Sequence, residues 1–178
     1  MAISDGKLNI VVDVESDGPC PGLYSMISFG AVVLEDPSKS FFGQTAPISD
    51  KWIPQALAVS EITRQTHCWY PNPSITMQKF KEWLDSLGGY KYTFWSDNPA
   101  FDWQFINYYC WKYLEHNPFG FSARRIGDLY AGYKLDVNDH TTWKKLRDTR
   151  HTHNPVDDAR GNAEALNKIV AAIKRESK

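Results

Sequence analysis

Cysteine is scarce in this chain of 178 residues: Cys20, Cys68 and Cys110 stand far apart, and no two share a CxxC spacing. That excludes a disulfide scaffold, argues against a structural zinc site and suits a reducing compartment. No apolar run is long enough to span a bilayer, and the opening MAISDGKLNI lacks the apolar centre of a secretory leader. These absences predict a cytoplasmic protein with no membrane partner. An excess of one charge is missing too: the formal net charge is −1. Coating a long nucleic acid by bulk electrostatics is therefore disfavoured, whereas gripping a short end through a few contacts and metal ions is not. The sequence also lacks internal repeats, low-complexity tracts and an obvious linker.

What is present is globular. The length fits one domain over 1–178, and hydrophobic residues make up 42% and aromatics 14%. Some of the aromatic surplus should fill a core, and some should offer flat faces to a ligand. LNIVVDVES (8–16) is β-branched and reads as a buried strand, broken by GPCPG at 18–22. Segments 24–35 and 40–47 read as the next two strands, giving an antiparallel meander. Segments 54–67 and 74–88 read as helices, the second ending at Gly88 and Gly89. A strand over 91–97, a helix over 99–115 opening on Pro99, a short strand and helix within 123–135, and a last helix over 158–176 complete the order. Three strands followed by alternating helix and strand predict an α/β layered domain.

Two acids interrupt the first strand. Asp13 and Glu15 are two residues apart, so they share one face. Like charges on an apolar strand are costly unless a cation such as a divalent metal sits between them; otherwise the strand simply ends there in solvent. Asp102 falls in the first turn or so of an aromatic-rich helix, where acids are also favoured by the helix dipole alone. In HNPVDDA (153–159), helical geometry separates the two aspartates. Val156, Ala159, Ala163, Leu166, Val170 and Ile173 form an apolar stripe. Asp157 lies opposite it, with Glu164 and Lys168, on a face expected to be solvated. Asp158 lies at the flank of the stripe, where a carboxylate needs a partner. His153 belongs to the loop leading into this helix. Asp97, His67, His116, His140 and His151 are read as structural.

The trio DVES (13–16), NPAFD (98–102) and HNPVDDA (153–159) resembles the DEDDh branch of the 3′→5′ exonucleases, whose motifs are DxE on the first strand, an Asp at the start of a later helix, and HxAxxDA. No single motif is specific, but all three occur in order across nearly the whole chain. Two departures are Pro155, where the family usually has Ala, an exchange that would stiffen the loop carrying His153, and Ser16, where Thr is common. The resemblance implies a ribonuclease-H-like fold, a mixed five-stranded sheet flanked by helices with its first three strands antiparallel. DVESDGPCPGLYSMISFGAV is similar to small stand-alone bacterial or phage exonucleases, including a poly(A)-degrading ribonuclease type.

By the same resemblance, Asp13, Glu15 and Asp158 would hold a first ion, Asp13 would bridge to a second, and Asp102 would support the cluster. Hard carboxylate oxygens suit two ions of Mg²⁺, or Mn²⁺, and not zinc. His153 would be the general base, since imidazole accepts a proton near neutral pH. Ser16, Asp17, Leu23, Tyr24 and Met26 after the glutamate, with Asn98 and Phe101 around the second motif, are candidates for holding the terminal nucleotide, although Tyr24 and Met26 fit strand core equally well. Lys144, Lys145, Arg147 and Arg150 could hold the next phosphates, or belong to a solvated face.

The expected activity is metal-dependent 3′→5′ hydrolysis of single-stranded nucleic acid to nucleoside 5′-monophosphates. Two alternatives stay open, an inactive nuclease fold that only binds nucleic acid and a phosphohydrolase acting on a small nucleotide. Presence of all five side chains argues against the first. RNA or short oligonucleotides are favoured over DNA, and a homodimer is suggested, by analogy with small relatives.

Overall fold

The computed structural model describes residues 6–89 and 91–177. Residues 1–5, which begin the segment read for a leader, lie outside the described residues, as do Tyr90, just before the strand expected over 91–97, and Lys178, the last residue of the expected domain.

Strands β1 (Lys7–Ser16), β2 (Met26–Val33) and β3 (Asp36–Gln44) pair antiparallel, as expected, and β4 (Lys91–Ser96) and β5 (Ala123–Arg125) add on parallel to β1. The order across the sheet is β3-β2-β1-β4-β5. Between β3 and β4 run α1 (Pro54–Val59), α2 (Arg64–Cys68) and α3 (Pro73–Ser86); α4 (Pro99–Leu114) follows β4, and α5 (Ile126–Lys134) follows β5. A 3₁₀ turn (Thr142–Leu146) and the long α6 (Pro155–Glu176) close the chain.

The single helix expected over 54–67 is two short helices. Glu61 takes a left-handed backbone with φ 54°, and the Thr63 hydroxyl accepts the Thr66 N–H at the start of α2. Val59, Ile62 and Thr63 are β-branched and poor in a helix interior, and Thr is a favoured cap, so the break follows local chemistry. The last helix begins three residues earlier than expected. Pro155 opens it, and the Asn154 side chain caps it by accepting from Val156 N–H at 3.0 Å. Pro155 thus serves as a helix start as well as a stiff point beside His153.

Strand alternation divides the core in two. Ile10, Val12 and Val14 of β1, with Phe29, Ala31 and Val33 of β2, face α3 and α4. Val11 and Val32 face the other way, against Ala159, Ala163 and Leu166 of α6. The stripe expected on α6 is the packed one. Most of the aromatic surplus goes to the first layer, where Phe29, Phe80, Phe94 and Tyr109 are fully buried, each such ring contributing roughly 1.5–3 kcal/mol. Trp69, at 82% exposure, and Phe121, at 90%, remain outside. No helix among the described residues is long and apolar enough to cross a membrane.

Candidate active site

The alternation that buries Val11 against α6 also aims Asp13 and Glu15 toward that helix. Opposite Asp13 in the strand pairing is Gly30 of β2. A Cβ there would lie only 2.2 Å from the Pro155 carbonyl oxygen and 2.4 Å from Val156 N. Glycine at this position lets the N-terminal turn of α6 press onto the sheet, which carries Asp158 to Asp13. One oxygen each from Asp13, Glu15 and Asp158 lies within 4.8 Å of the others. Asp102 arrives from the other side. The pairing of β1 with β4 ends at Val11; beyond it Val14 N–H donates to Asp102 Oδ1 at 3.1 Å, and Asn98 N–H donates to Oδ2 at 3.3 Å. The four acids expected from three distant motifs therefore meet at one end of β1.

Burial dominates their electrostatics. It raises Asp13 well above the usual carboxylate range, and repulsion from Asp102, Glu15 and Asp158 raises it further, while the Arg147 guanidinium opposes this. Asp102 is pushed up to about 7, again chiefly by burial, against hydrogen bonds that favour its charged form. Burial also raises Glu15, with His153 and the Ser60 hydroxyl pulling it back. Crowded carboxylates that resist ionisation are poised for a divalent cation, which would supply the missing positive charge. The all-oxygen donor set of Asp13, Glu15 and Asp158 fits Mg²⁺ or Mn²⁺.

Asp158 is 1% exposed and tightly held. Thr152 N–H donates to its Oδ1 and His153 N–H to its Oδ2, both at 2.9 Å. Asp157 points outward and pairs with Arg160 at 2.9 Å, so the helical-face distinction between the two aspartates holds. The face expected to be solvated carries more than water, however. Glu164 accepts the backbone N–H groups of Asp148 and Thr149, and Lys168 donates to the Leu146 carbonyl. These bonds strap residues 146–149 to α6 and set the approach of the loop that bears His153. That histidine has φ 59°, a left-handed backbone uncommon outside glycine, and its Nδ1 stands 3.5 Å from Glu15 Oε1.

Two of the histidines read as structural stand beside carboxylates. His151 Nδ1 lies 2.8 Å from Asp158 Oδ2, and its ring meets that of His153 edge-on at 4.5 Å. The spacing of two in His-Thr-His was the available signal. His67 is fully buried, 3.5 Å from Asp17, with Nε2 3.0 Å from the Thr45 carbonyl.

The candidates for holding a nucleotide separate into two groups. Ser16 and Phe101 line a hollow of about 360 Å³ together with Glu15, Gly18, Pro19, Ile53, Ala56 and Val59. Asp17 is fully buried and accepts from Ser25 N–H and from Arg64 Nη1 at 2.6 Å; it ties the turn after β1 to α2 and is not free for a ligand. Met26 is core, with no exposure. Tyr24 covers Gly18, its ring filling the space a Cβ there would need. Leu23 is 44% exposed and Asn98 is exposed, but neither lines the hollow. The contribution of α1 through Ile53, Ala56 and Val59 was not legible beforehand. A second hollow of about 240 Å³, meeting the first at Val59, is lined by His153, Asn154, Ser60, Phe42 and Tyr70 among others.

In the basic segment, Lys144 and Arg147 are engaged by Asp97 at 2.5 and 3.7 Å, and Arg147 also donates to Asn162 at 2.5 Å. Lys145 and Arg150 are exposed, with no ion pair among the described residues.

No family model matches the chain. It is similar to the 3′-5′ DNA exonuclease Cap18 of Escherichia coli, at 37% identity over 93% of each chain. Among solved structures it resembles the nuclease domain of 3′hExo, a DEDDh family member bound to rAMP, with TM-score 0.72, 18% identity and 93% and 92% of the two chains covered. It also resembles E. coli exonuclease I in complex with a dT13 oligonucleotide, with TM-score 0.71, 15% identity, and 96% of this chain against 42% of that one. These likenesses establish the ribonuclease-H-like fold. Identity of 37% sustained along nearly the whole of both sequences, on that fold, goes further: the chain belongs to the DEDDh family of 3′→5′ exonucleases.

Proposed function

We propose that the protein is a metal-dependent exonuclease that removes nucleoside 5′-monophosphates from the 3′ end of single-stranded nucleic acid. The observation that carries this is the convergence of Asp13, Glu15 and Asp158 oxygens within 4.8 Å, with His153 facing Glu15 at their open side. Asp13, Glu15 and Asp158 would hold a divalent ion, and a second ion would draw on Asp13 as well. Bound there, Mg²⁺ or Mn²⁺ supplies positive charge to the scissile phosphate and the leaving 3′-oxygen. Asp102 keeps the end of β1 in place through Val14 N–H. His153, half exposed beside Glu15, takes the proton of the attacking water, a step within reach of an imidazole at neutral pH.

Two hollows meeting at Val59 favour a polymer end over a small nucleotide. The terminal base fits the apolar one beside Phe101, and the preceding nucleotide fits the one beside His153. Lys145 and Arg150 are left to meet phosphates further along. The preference for RNA over DNA rests on analogy with small stand-alone nucleases, while the E. coli relative is named a DNA exonuclease; both sugars therefore belong in the test. A cytoplasmic setting and a homodimer complete the proposal, the latter checked by sedimentation.

The deciding experiment is a gel time course with 5′-labelled single-stranded RNA and DNA of one sequence, in Mg²⁺, Mn²⁺ or EDTA. A metal-dependent ladder shrinking from the 3′ end, and absent with Asp158→Asn, is expected. Folded, metal-binding protein that shortens neither polymer would overturn the proposal in favour of an inactive binding module or a small-nucleotide hydrolase, which mononucleotide substrates and filter binding would tell apart.

A further inference from the structure

The loop before α6 brings a second donor set to the site. One ligand atom each from His151, His153 and Asp158 lies within 4.8 Å of the others. Two imidazoles and one carboxylate form a different kind of site from the carboxylate cluster beside it. Mg²⁺ seldom accepts such ligands, whereas Zn²⁺ binds two histidines and one acid readily and keeps its fourth position for water. Asp158 Oδ2 is already fixed by the His153 N–H and lies 2.8 Å from His151 Nδ1. Both histidine side chains are about half exposed, at 50% and 47%, so their rings can close on an ion without disturbing the core.

We propose that His151, His153 and Asp158 form a second metal site, selective for Zn²⁺ over Mg²⁺, whose occupation switches the exonuclease off. An ion there takes Asp158 from the carboxylate cluster and ties up the lone pair with which His153 would accept a proton. Inhibition thus follows from the identity of the ligands. The binding half depends only on the geometry of the loop; the inhibitory half rests on the exonuclease reading.

The test keeps the halves apart by measuring binding directly. Equilibrium dialysis of the whole protein against Zn²⁺ in large excess of Mg²⁺ is run for wild type, His151→Gln and His151→Asn. The second variant keeps an amide N–H donor beside Asp158 and offers no imidazole. Visible absorption of bound Co²⁺ reports the ligand set, and circular dichroism checks the fold. Loss of a second-sphere group commonly weakens metal binding 10–100-fold, so loss of a ligand should weaken Zn²⁺ by at least about tenfold in both variants. The Zn²⁺ concentration that halves Mg²⁺-supported cleavage, each protein normalised to its own rate, should rise in parallel. Equal Zn²⁺ affinity in all three proteins would overturn the site, because the ion would then sit among the carboxylates. So would no Zn²⁺ uptake by the wild type in Mg²⁺. Weaker Zn²⁺ binding in the variants with unchanged inhibition would overturn the switch alone. Absence of any cleavage would count against the exonuclease reading and leave the dialysis result standing.

Discussion

Replacing Asp102 by asparagine should make the metal-free protein more stable at pH 8 and also inactive. Burial holds the Asp102 carboxyl at about 7, against an ordinary 3.8. An unfolded chain loses this proton near pH 4, and the folded one keeps it until about 7. Between those values the folded state binds more protons, so stability falls as pH rises and levels off above about 7. The rise from 3.8 to about 7 corresponds to at most about 4 kcal/mol. Because the neighbouring acids titrate together with it, we assign Asp102 about half, roughly 2 kcal/mol. Asparagine accepts through one oxygen where the carboxylate accepts from both Val14 and Asn98; that loss costs about 1 kcal/mol at every pH. The variant should therefore match the wild type at pH 5 and exceed it by about 1 kcal/mol at pH 8, a Tm gain of roughly 2–4 °C at this chain length. Thermal unfolding in EDTA at both pH values measures it, and Mg²⁺ at pH 8 should raise the wild-type Tm more than the variant's. A variant with the same pH dependence as the wild type would refute burial as the source of the high Asp102 value.

Other substitutions probe the same geometry. Asp158→Asn should abolish turnover while Asp157→Asn keeps most of it, since only Asp158 faces Asp13; equal losses in single-turnover rates would contradict this. His153→Ala should lower kcat by about 10²–10⁴, with an unchanged circular dichroism spectrum, and near-normal cleavage would remove it from the role of base. Gly30→Ala should destabilise the protein by about 1–3 kcal/mol in urea unfolding and also slow cleavage, because the added methyl meets the Pro155 carbonyl that sets the position of Asp158. Phe101→Ala should raise KM for a short oligonucleotide several-fold with a smaller change in kcat; a kcat effect alone would mean that this ring does not hold the terminal base.

The order of elements was legible in the sequence from local rules, whereas the four acids were named by the resemblance of three motifs, local rules supplying only the faces on which they lie. Alternation along β1 puts Asp13 and Glu15 on one face, and the helical repeat of α6 separates Asp158 from Asp157. The break at 60–63 was less legible, since a run of helix formers masked three β-branched residues. Packing between distant segments was not legible at all. Gly30 carries no functional group, and it matters only because β2 and α6 press together there. His151 became a neighbour of Asp158 through a loop strapped down by Glu164 and Lys168, two residues whose helical position alone suggested solvent. Asp17 and Met26, promising by their place after Glu15, turned inward because the α2 salt bridge and the core claimed them. Periodicity reports which face a side chain takes on its own element. Only the tertiary structure decides what that face meets, because contacts across hundreds of atoms, rather than neighbours along the chain, fix the distances at which acids repel, histidines pair and a nucleotide finds room.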